Sequence, residues 1–254
     1  MNPNSTRPVS VTLYLPIWLY RPLRWIKRKV FSLGTDRNKQ TILNLAGDRD
    51  IEWSWIASQM PSGPGEVLDF GNGGSSMGLL AARRGFKVTA IDLEPIRWSY
   101  RHSLLQFVQG DLLHLDLPKH RFDLIINCSS VEHVGLVGRY SVTKGREDGD
   151  LEAMAVLREL MKSDGIMLLT VPVGQDAVHI PWHRVYGKQR LPKLLQGYAV
   201  RLEEYWVKNN ANCWIPCDRE TALSFKSLSS EDGRVNVYAL GCFILRPDHR
   251  KASS

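Results

Sequence analysis

The stretch Gly65-Glu66-Val67-Leu68-Asp69-Phe70-Gly71-Asn72-Gly73-Gly74-Ser75-Ser76-Met77-Gly78 decides the fold of this chain. Its apolar run at residues 66–70 predicts a buried β-strand, and the glycines that follow predict a tight turn. A helix is expected to begin near Ser76. A second apolar run, residues 87–91, is rich in β-branched side chains and leads into Asp92. The pattern therefore predicts a strand, a turn, a helix and a second strand that ends at an acidic residue.

The glycine turn and Asp92 together have the chemistry of a nucleoside-binding site. Gly71 and Gly73 carry no side chain, so the backbone can turn tightly and a ligand can lie against it. The start of the following helix offers backbone N–H groups that have no partner within the helix. A carboxylate about 20 residues beyond such a turn can accept hydrogen bonds from ribose hydroxyls. A plain tight turn would show the same glycines, so the order of the elements carries the prediction.

Four segments of the chain resemble, in order, the motifs of class I S-adenosylmethionine-dependent methyltransferases. They are residues 67–75, 88–94, 109–112 and 122–133. In the first segment, Ser75 stands where that family usually has its last glycine. The resemblance implies a Rossmann-like α/β fold with a seven-stranded, mostly parallel sheet and helices on both faces. An antiparallel C-terminal hairpin is expected from residues 200–206 and 235–245.

The resemblance also implies S-adenosylmethionine as the cofactor and names the residues that contact it. These contacts are expected at the end of each of the first four strands and in the loops that follow. The residues are Asp69, Gly71, Asn72, Gly73, Asp92, Leu93, Asp111, Leu112 and Ser129. Asp111, with a neighbouring backbone N–H, is expected to meet the adenine amino group. The alternative for this residue is an aspartate in a solvent-facing loop.

A hydroxyl acceptor must also lose a proton, so a general base within hydrogen-bond reach would assist methyl transfer. His133 and His183 are the candidates for this general base because imidazole titrates near neutral pH. Glu132 precedes His133 and is the third candidate catalytic residue. Each histidine has a structural alternative, since it can instead brace the loop that holds it. Glu132 and His133 could alternatively bind a divalent cation, but we predict that the site uses no metal.

The chain is predicted to consist of a basic aromatic arm (1–39), a methyltransferase domain (40–246) and a polar tail (247–254). The arm has eight basic residues against one acidic residue, which accounts for the net charge of +7. Residues 11–31 combine Trp and Tyr with Lys and Arg, and their apolar part is shorter than the ~20 residues that span a bilayer. We expect them either to lie on an anionic membrane surface or to pack on protein. The rest of the chain is neutral, which disfavours a nucleic acid partner.

The four cysteines indicate a reducing compartment. Cys128, Cys213, Cys217 and Cys242 are too few for a dense disulfide framework, and the N-terminus lacks the pattern of a cleavable signal peptide. Cys213 and Cys217 could supply half of a zinc site, but no second pair with matching spacing lies nearby. We therefore predict a cytoplasmic protein with reduced thiols, held at the inner face of the membrane if the arm docks there.

The predicted reaction is methylation of an oxygen acceptor, a sugar hydroxyl on a surface or lipid-linked glycan. Segments around His133, Gly149 and His183 resemble a bacterial branch of the superfamily that is associated with surface polysaccharides. Small-molecule and RNA methyltransferases are alternatives, and so is a cofactor-binding adaptor without activity. The Asp/Asn-Pro-Pro-Tyr motif of many amino-group methyltransferases is absent, because Cys128 follows Asn127. The oligomeric state is not predicted.

An NAD(P)-dependent short-chain oxidoreductase is the alternative from another enzyme class. The glycine turn fits a dinucleotide, and Tyr140 and Lys144 match the Tyr-x-x-x-Lys pattern of those enzymes. That pattern requires a helix to bring both side chains to one face, whereas Gly138 and Gly145 predict a loop here. A dinucleotide turn would also have a third glycine where Ser76 stands. The sequence therefore favours the methyltransferase.

Overall fold

A computed structural model describes residues 48–138, 140, 142–209, 213–227 and 238–248 of the chain. All of them belong to one unit, Asn44–Ser254. The predicted arm and all but the first two residues of the predicted tail lie outside the described residues. No helix among the described residues is long and apolar enough to cross a membrane.

Three helices and a 3₁₀ turn accompany the first five strands, although no described helix separates β2, β3 and β4, and the chain after β5 is mainly strand. The strands are β1 (Gly65–Phe70), β2 (Phe86–Asp92), β3 (Leu105–Gln109), β4 (Phe122–Cys128), β5 (Met161–Val173), β6 (Ala177–His179), β7 (His183–Val185), β8 (Tyr198–Lys208), β9 (Trp214–Cys217) and β10 (Ala239–Pro247). The helices are α1 (Asp48–Gln59), α2 (Met77–Arg83), α3 (Gly149–Leu160), α4 (Arg190–Leu194) and α5 (Arg219–Ser224), with a 3₁₀ turn at Val131–His133.

The main sheet has the strand order β3-β2-β1-β4-β5-β10-β8-β9. The first five strands in this order are parallel to one another. The remaining three add antiparallel pairings. This confirms the α/β fold with a mostly parallel sheet. Strand order reverses between β1 and β4, which is where sheets of this kind bind ligands, at the carboxyl ends of the strands.

The sheet has eight strands, where seven were predicted, because β9 adds an edge strand. β9 pairs with β8 and contains Pro216, which cannot donate a backbone hydrogen bond. Proline is tolerated at this place because β9 lies at the edge of the sheet. β9 was not predicted because it has only four residues, one of which is proline, and shows no strand pattern in the sequence. The predicted hairpin also differs in detail, because β10 lies between β5 and β8 and the connection from β8 carries β9 and α5.

Apolar side chains cover both faces of the sheet. In β4, Leu124 and Ile126 belong to one core cluster, whereas Phe122 and Ile125 belong to the other. Helices α1 and α2 contribute to the first cluster, and α3 and α4 contribute to the second. Burial on both faces explains why β4 is a continuous apolar run. β4 lies between β1 and β5 in the sheet, and the polar residues Ser129 and Ser130 follow its carboxyl end.

Two local features depend on partners elsewhere in the chain. Within residues 175–187, β6 and β7 pair as a short antiparallel hairpin. Helix α3 begins at Gly149, and Asp150 lies inside its first turn. The fully buried carboxylate of Asp150 accepts hydrogen bonds from Arg190, at 2.9 Å from Nε and 2.5 Å from Nη2. This pair joins α3 to α4.

Candidate functional site

A cleft of about 700 Å³ lies at the carboxyl ends of β1, β2 and β4. It extends from residues 91–97 and 110–113, after β2 and β3, to residues 133–146, between the 3₁₀ turn and α3. Every predicted cofactor-binding residue except Asp69 lines it. Of the three predicted catalytic residues, only His133 lines it.

The turn after β1 requires glycine at Gly71 and favours it at Gly73. Gly71 has φ +64° and Gly73 has φ +52°, in the left-handed region that favours glycine. A Cβ on Gly71 would lie 2.5 Å from both Cβ and Oγ of Ser130. The Ser130 hydroxyl donates a hydrogen bond to the Gly71 carbonyl oxygen at 3.1 Å, which fastens the turn to the end of β4.

Asp92, the last residue of β2, connects to this turn. Its Oδ2 accepts a hydrogen bond from the backbone N–H of Gly73 at 2.8 Å, and its Oδ1 accepts one from Glu94 at 3.0 Å. Each carboxylate oxygen has a second lone pair, so both can still accept a hydroxyl hydrogen bond. Asp92 therefore orients the turn and also presents acceptors to the cleft.

Asp69 lies beneath the turn and does not face the cleft. Its side chain is 1% exposed and accepts a hydrogen bond from the Asn72 amide. Asn72 in turn accepts one from the Trp98 indole N–H at 3.1 Å. Burial raises the pKa of Asp69 to about 7, although the hydrogen bonds from Asn72 and Gly78 oppose this shift. This buried network holds the turn from behind.

Asp111 and Leu112 close the cleft after β3. The Asp111 carboxylate accepts a hydrogen bond from the backbone N–H of Leu113 at 3.0 Å and lies 2.9 Å from His114 Nδ1. Leu112 is buried. The N–H of Gly110 donates to the Asp92 carbonyl oxygen at 2.8 Å, so the ends of β2 and β3 are tied together. Leu93 is an exposed apolar side chain on the same wall.

Ser129 ends β4 in a strained conformation that α1 supports. Its φ is +46°, which is unfavourable for a residue with a side chain. Its hydroxyl donates a hydrogen bond to the fully buried carboxylate of Glu52, which also accepts one from Thr170 at 3.0 Å. The other oxygen of Glu52 pairs with Arg49 at 2.7 Å, and Arg49 lines the cleft.

Arg49 and Glu52 are functional candidates that the sequence analysis missed. Glu52 lies one helical turn before Trp55 and Ile56, on the apolar face of α1. An acidic residue on an otherwise apolar face is costly to bury without a partner. That placement was a signal that the sequence contained.

Glu132 and His133 form a pair at the 3₁₀ turn. His133 Nδ1 lies 2.5 Å from the Trp182 carbonyl oxygen, which can only accept, so Nδ1 carries the proton and Nε2 can accept one. Nε2 is 3.7 Å from Glu132 Oε1. Glu132 is 1% exposed, and burial, with the charge of Glu52 as a further cause, raises its pKa to about 8. The raised pKa favours the protonated form of Glu132 at neutral pH. Glu132 does not line the cleft.

His183 lies elsewhere, on the β6–β7 hairpin. Its ring centroid is 5.4 Å from that of His179 and 5.0 Å from that of Tyr238. It does not line the cleft. The structure thus brings one of the two predicted histidines to the cleft. Among the described residues, no group of three or more His, Cys, Asp or Glu side chains is arranged to hold a metal ion.

Tyr140 and Lys144 both line the cleft, but neither is in a helix. They belong to residues 134–148, between the 3₁₀ turn and α3, which we call the α3 loop. The helical spacing that a Tyr-x-x-x-Lys pair requires is therefore missing. Tyr140 packs edge-on to His133 with ring centroids 5.7 Å apart.

Arg184 anchors the α3 loop and was also missed as a site residue. It is 2% exposed, and its guanidinium donates to four backbone carbonyl oxygens at distances of 2.7 to 3.3 Å. Those oxygens belong to Glu132, Val134, Arg146 and Glu147. Both ends of the loop are therefore fastened to one buried cation.

The strand order, the glycine turn and the cleft define the fold of class I S-adenosylmethionine-dependent methyltransferases. A solved structure of 1,6-didemethyltoxoflavin-N1-methyltransferase from Burkholderia thailandensis, with bound S-adenosylhomocysteine, matches with a TM-score of 0.52 and 18% identity over 95% of this chain and 94% of that one. A methyltransferase from Archaeoglobus fulgidus matches with a TM-score of 0.51 and 15% identity over 79% and 95% of the two chains. At these identities the likeness establishes the fold.

The chain belongs to the family described as Caenorhabditis protein of unknown function, DUF268. The family model matches residues 88–221, which is more than half of the 254 residues. The matched range begins in β2 and ends in α5, so it includes Asp92, the end of β4 and the α3 loop. No curated protein matches the sequence.

Proposed function

We propose that the protein transfers a methyl group from S-adenosylmethionine to a hydroxyl acceptor. The observation that carries the proposal is the contact between Gly73 and Asp92. It places a glycine-rich turn and a carboxylate that can accept further hydrogen bonds on one wall of the cleft. This combination suits the ribose of an adenosine-containing cofactor. The position of Tyr140 and Lys144 in a loop argues against a nicotinamide enzyme.

In the proposed complex, different residues of the cleft contact different parts of S-adenosylmethionine. Asp92 accepts the ribose hydroxyls, and the segment at Asp111 and Leu112 borders the adenine. The turn at Gly71 and Gly73, with Ser129, lies against the rest of the cofactor. Arg49, held from behind by Glu52, suits the carboxylate of the aminoacyl part. Asp69 acts from beneath the turn by holding Asn72.

The reaction is an in-line displacement at the methyl carbon, for which the protein supplies position and charge balance. His133 is the proposed general base, because its Nε2 is the nitrogen able to take the hydroxyl proton. Glu132 is proposed to stay neutral beside it, which keeps a negative charge out of the buried site. The structure gives His183 no contact with the cleft, so we propose that its role is confined to the hairpin.

The acceptor is proposed to be a sugar hydroxyl on a surface or lipid-linked glycan, in the cytoplasm at the membrane face. Two features support this: the resemblance around residues 131–140 and 183–187, and the basic aromatic segment 11–31, which suits an anionic surface. Flotation with anionic vesicles tests the second feature. Equal recovery of the full chain and of residues 40–254 would remove the membrane surface from the proposal.

The test of the reaction is transfer of a radiolabelled methyl group from S-adenosylmethionine to glycan extracts. We expect label in the glycan fraction with the wild type and a loss of about 100-fold with His133→Ala. His183→Ala should retain most of the activity. Label confined to protein, RNA or small molecules would reject the glycan acceptor. Equal rates for the wild type and His133→Ala would reject the general base.

A further inference from the structure

We propose that the methyl acceptor carries an anionic group, a phosphate or a carboxylate, and that Lys144 and Arg146 of the α3 loop bind it. This inference deepens the proposed function and rests on it. The proposed function names a hydroxyl as the methylated group, and the charge of the acceptor is the new element.

The acidic side chains that line the cleft lie at one end of it. Among the described residues they are Asp92, Glu94 and Asp111, at or just after the carboxyl ends of β2 and β3. Two cations line the cleft outside the α3 loop, Arg97 after β2 and Arg49 in α1. The α3 loop contributes Lys144 and Arg146 to the lining and no acidic side chain. Glu132, the nearest carboxyl group to His133 in sequence, is buried and protonated at neutral pH. The acceptor end of the cleft is therefore cationic.

The ion pair of Arg146 does not neutralise this surface. Its Nη1 pairs with Glu152 Oε2 at 2.8 Å, and Glu152 does not line the cleft. A guanidinium has five N–H donors, so one carboxylate leaves donors for a second anion. Lys144 is exposed and forms no ion pair with any described residue. Two donors with positive charge are thus available to an acceptor beside His133.

Backbone contacts hold described residues at both ends of the α3 loop. Arg184 binds backbone carbonyl oxygens at both ends of it, and the N–H of Arg146 donates to the Gly135 carbonyl oxygen at 2.9 Å. The N–H of Gly138 also donates to the Val142 carbonyl oxygen at 3.1 Å. A fixed loop binds an anion with less loss of conformational entropy than a mobile one. These contacts use backbone atoms, so the side chains of Lys144 and Arg146 can be changed without removing them.

The experiment uses the full chain saturated with S-adenosylhomocysteine, titrated with inorganic phosphate or with acetate and followed by calorimetry. The wild type should bind at least one of the two anions. The double variant Lys144→Gln/Arg146→Gln should bind about tenfold more weakly, since each charge-assisted hydrogen bond is lost. Lys87→Gln changes an exposed lysine of β2 outside the cleft and should behave as the wild type.

The outcomes separate this inference from the proposed function. Absence of S-adenosylhomocysteine binding would reject the proposed function itself. The inference of an anionic acceptor would be overturned if the protein bound the cofactor but neither anion. It would also be overturned if the double variant bound the anions as tightly as the wild type. Binding of phosphate alone would indicate a phosphorylated acceptor, and binding of acetate as well would indicate a carboxylate.

Discussion

The backbone N–H of Gly73 donates a hydrogen bond to the Asp92 carboxylate across 2.8 Å. This contact joins the turn after β1 to the end of β2. It explains why the glycine and the aspartate, 19 residues apart, act as one unit. A change at either residue should alter both the shape of the turn and the acceptors offered to a ribose.

Asp92→Ala should therefore weaken binding of S-adenosylhomocysteine by roughly 100-fold or more. The variant loses the charged acceptor for the ribose and the anchor of Gly73, and each charge-assisted hydrogen bond contributes about 1.5–3 kcal/mol. Titration calorimetry measures the effect. Asp164→Ala, at an exposed site in β5, is the matched control and should bind normally. Unchanged affinity in Asp92→Ala would remove this residue from the site.

Gly71→Ala should destabilise the fold, whereas Gly74→Ala should not. A Cβ on Gly71 would meet Ser130 at 2.5 Å, and its φ is +64°. A Cβ on Gly74 would meet no protein atom within 4 Å. We expect the free energy of unfolding to fall by roughly 2–4 kcal/mol in the first variant and by about 0.5 kcal/mol or less in the second. Urea denaturation distinguishes them, and equal values would contradict the close approach to Ser130.

Glu132→Gln should change the pH dependence of stability. The folded-state pKa of Glu132 is raised from 4.5 to about 8, so between these values the folded protein binds more protons than the unfolded chain. Its stability therefore falls as the pH rises through this window. The variant has no proton to lose, so it should gain roughly 2–4 kcal/mol over the wild type on going from pH 5 to pH 8.5.

Urea denaturation of both proteins at the two pH values measures this gain. Glu220→Gln, at an exposed side chain of α5, should follow the wild-type dependence. If Glu132→Gln and the wild type lose stability in parallel, the buried carboxyl group is ionised across the whole range. Its role as a neutral partner of His133 would then fail.

Arg184→Met should lower the free energy of unfolding by about 3–5 kcal/mol, the range for removal of one member of a buried charged pair. The buried pair is that of Arg184 Nε with Asp150 Oδ1, 3.6 Å apart. In the variant, four backbone carbonyl oxygens lose their donor, and Asp150 keeps its ion pair with Arg190. Arg201→Met changes an exposed residue of β8 and should cost little. A small effect at Arg184 would mean that the α3 loop is held by other contacts.

The sequence contained enough information for the parallel half of the fold. The apolar runs of β1, β2 and β4 are buried on both faces, which makes them continuous and easy to recognise. The β6–β7 hairpin and β9 were not predicted because each strand has only three or four residues. Strands this short carry too few positions for a periodic pattern, and their pairing depends on neighbours that are distant in sequence.

The candidate site was predicted where it is built from local motifs. Gly71, Gly73 and Asp92 belong to one strand–turn–helix–strand unit, and the structure places them on one cleft. Arg184 could not be found in this way, because its partners lie 37 to 52 residues away in sequence. The position of His183 could not be predicted for the same reason. Its ring contacts His179 and Tyr238 instead of lining the cleft.

Calorimetric titration of the full chain with S-adenosylmethionine, S-adenosylhomocysteine and NAD tests the central claim most directly. We predict micromolar binding of the first two and no binding of NAD, because the turn and Asp92 suit adenosine while Tyr140 and Lys144 lie outside any helix. Binding of NAD without binding of either sulfur compound would contradict the account. Tyr140 and Lys144 would then become the residues to mutate first.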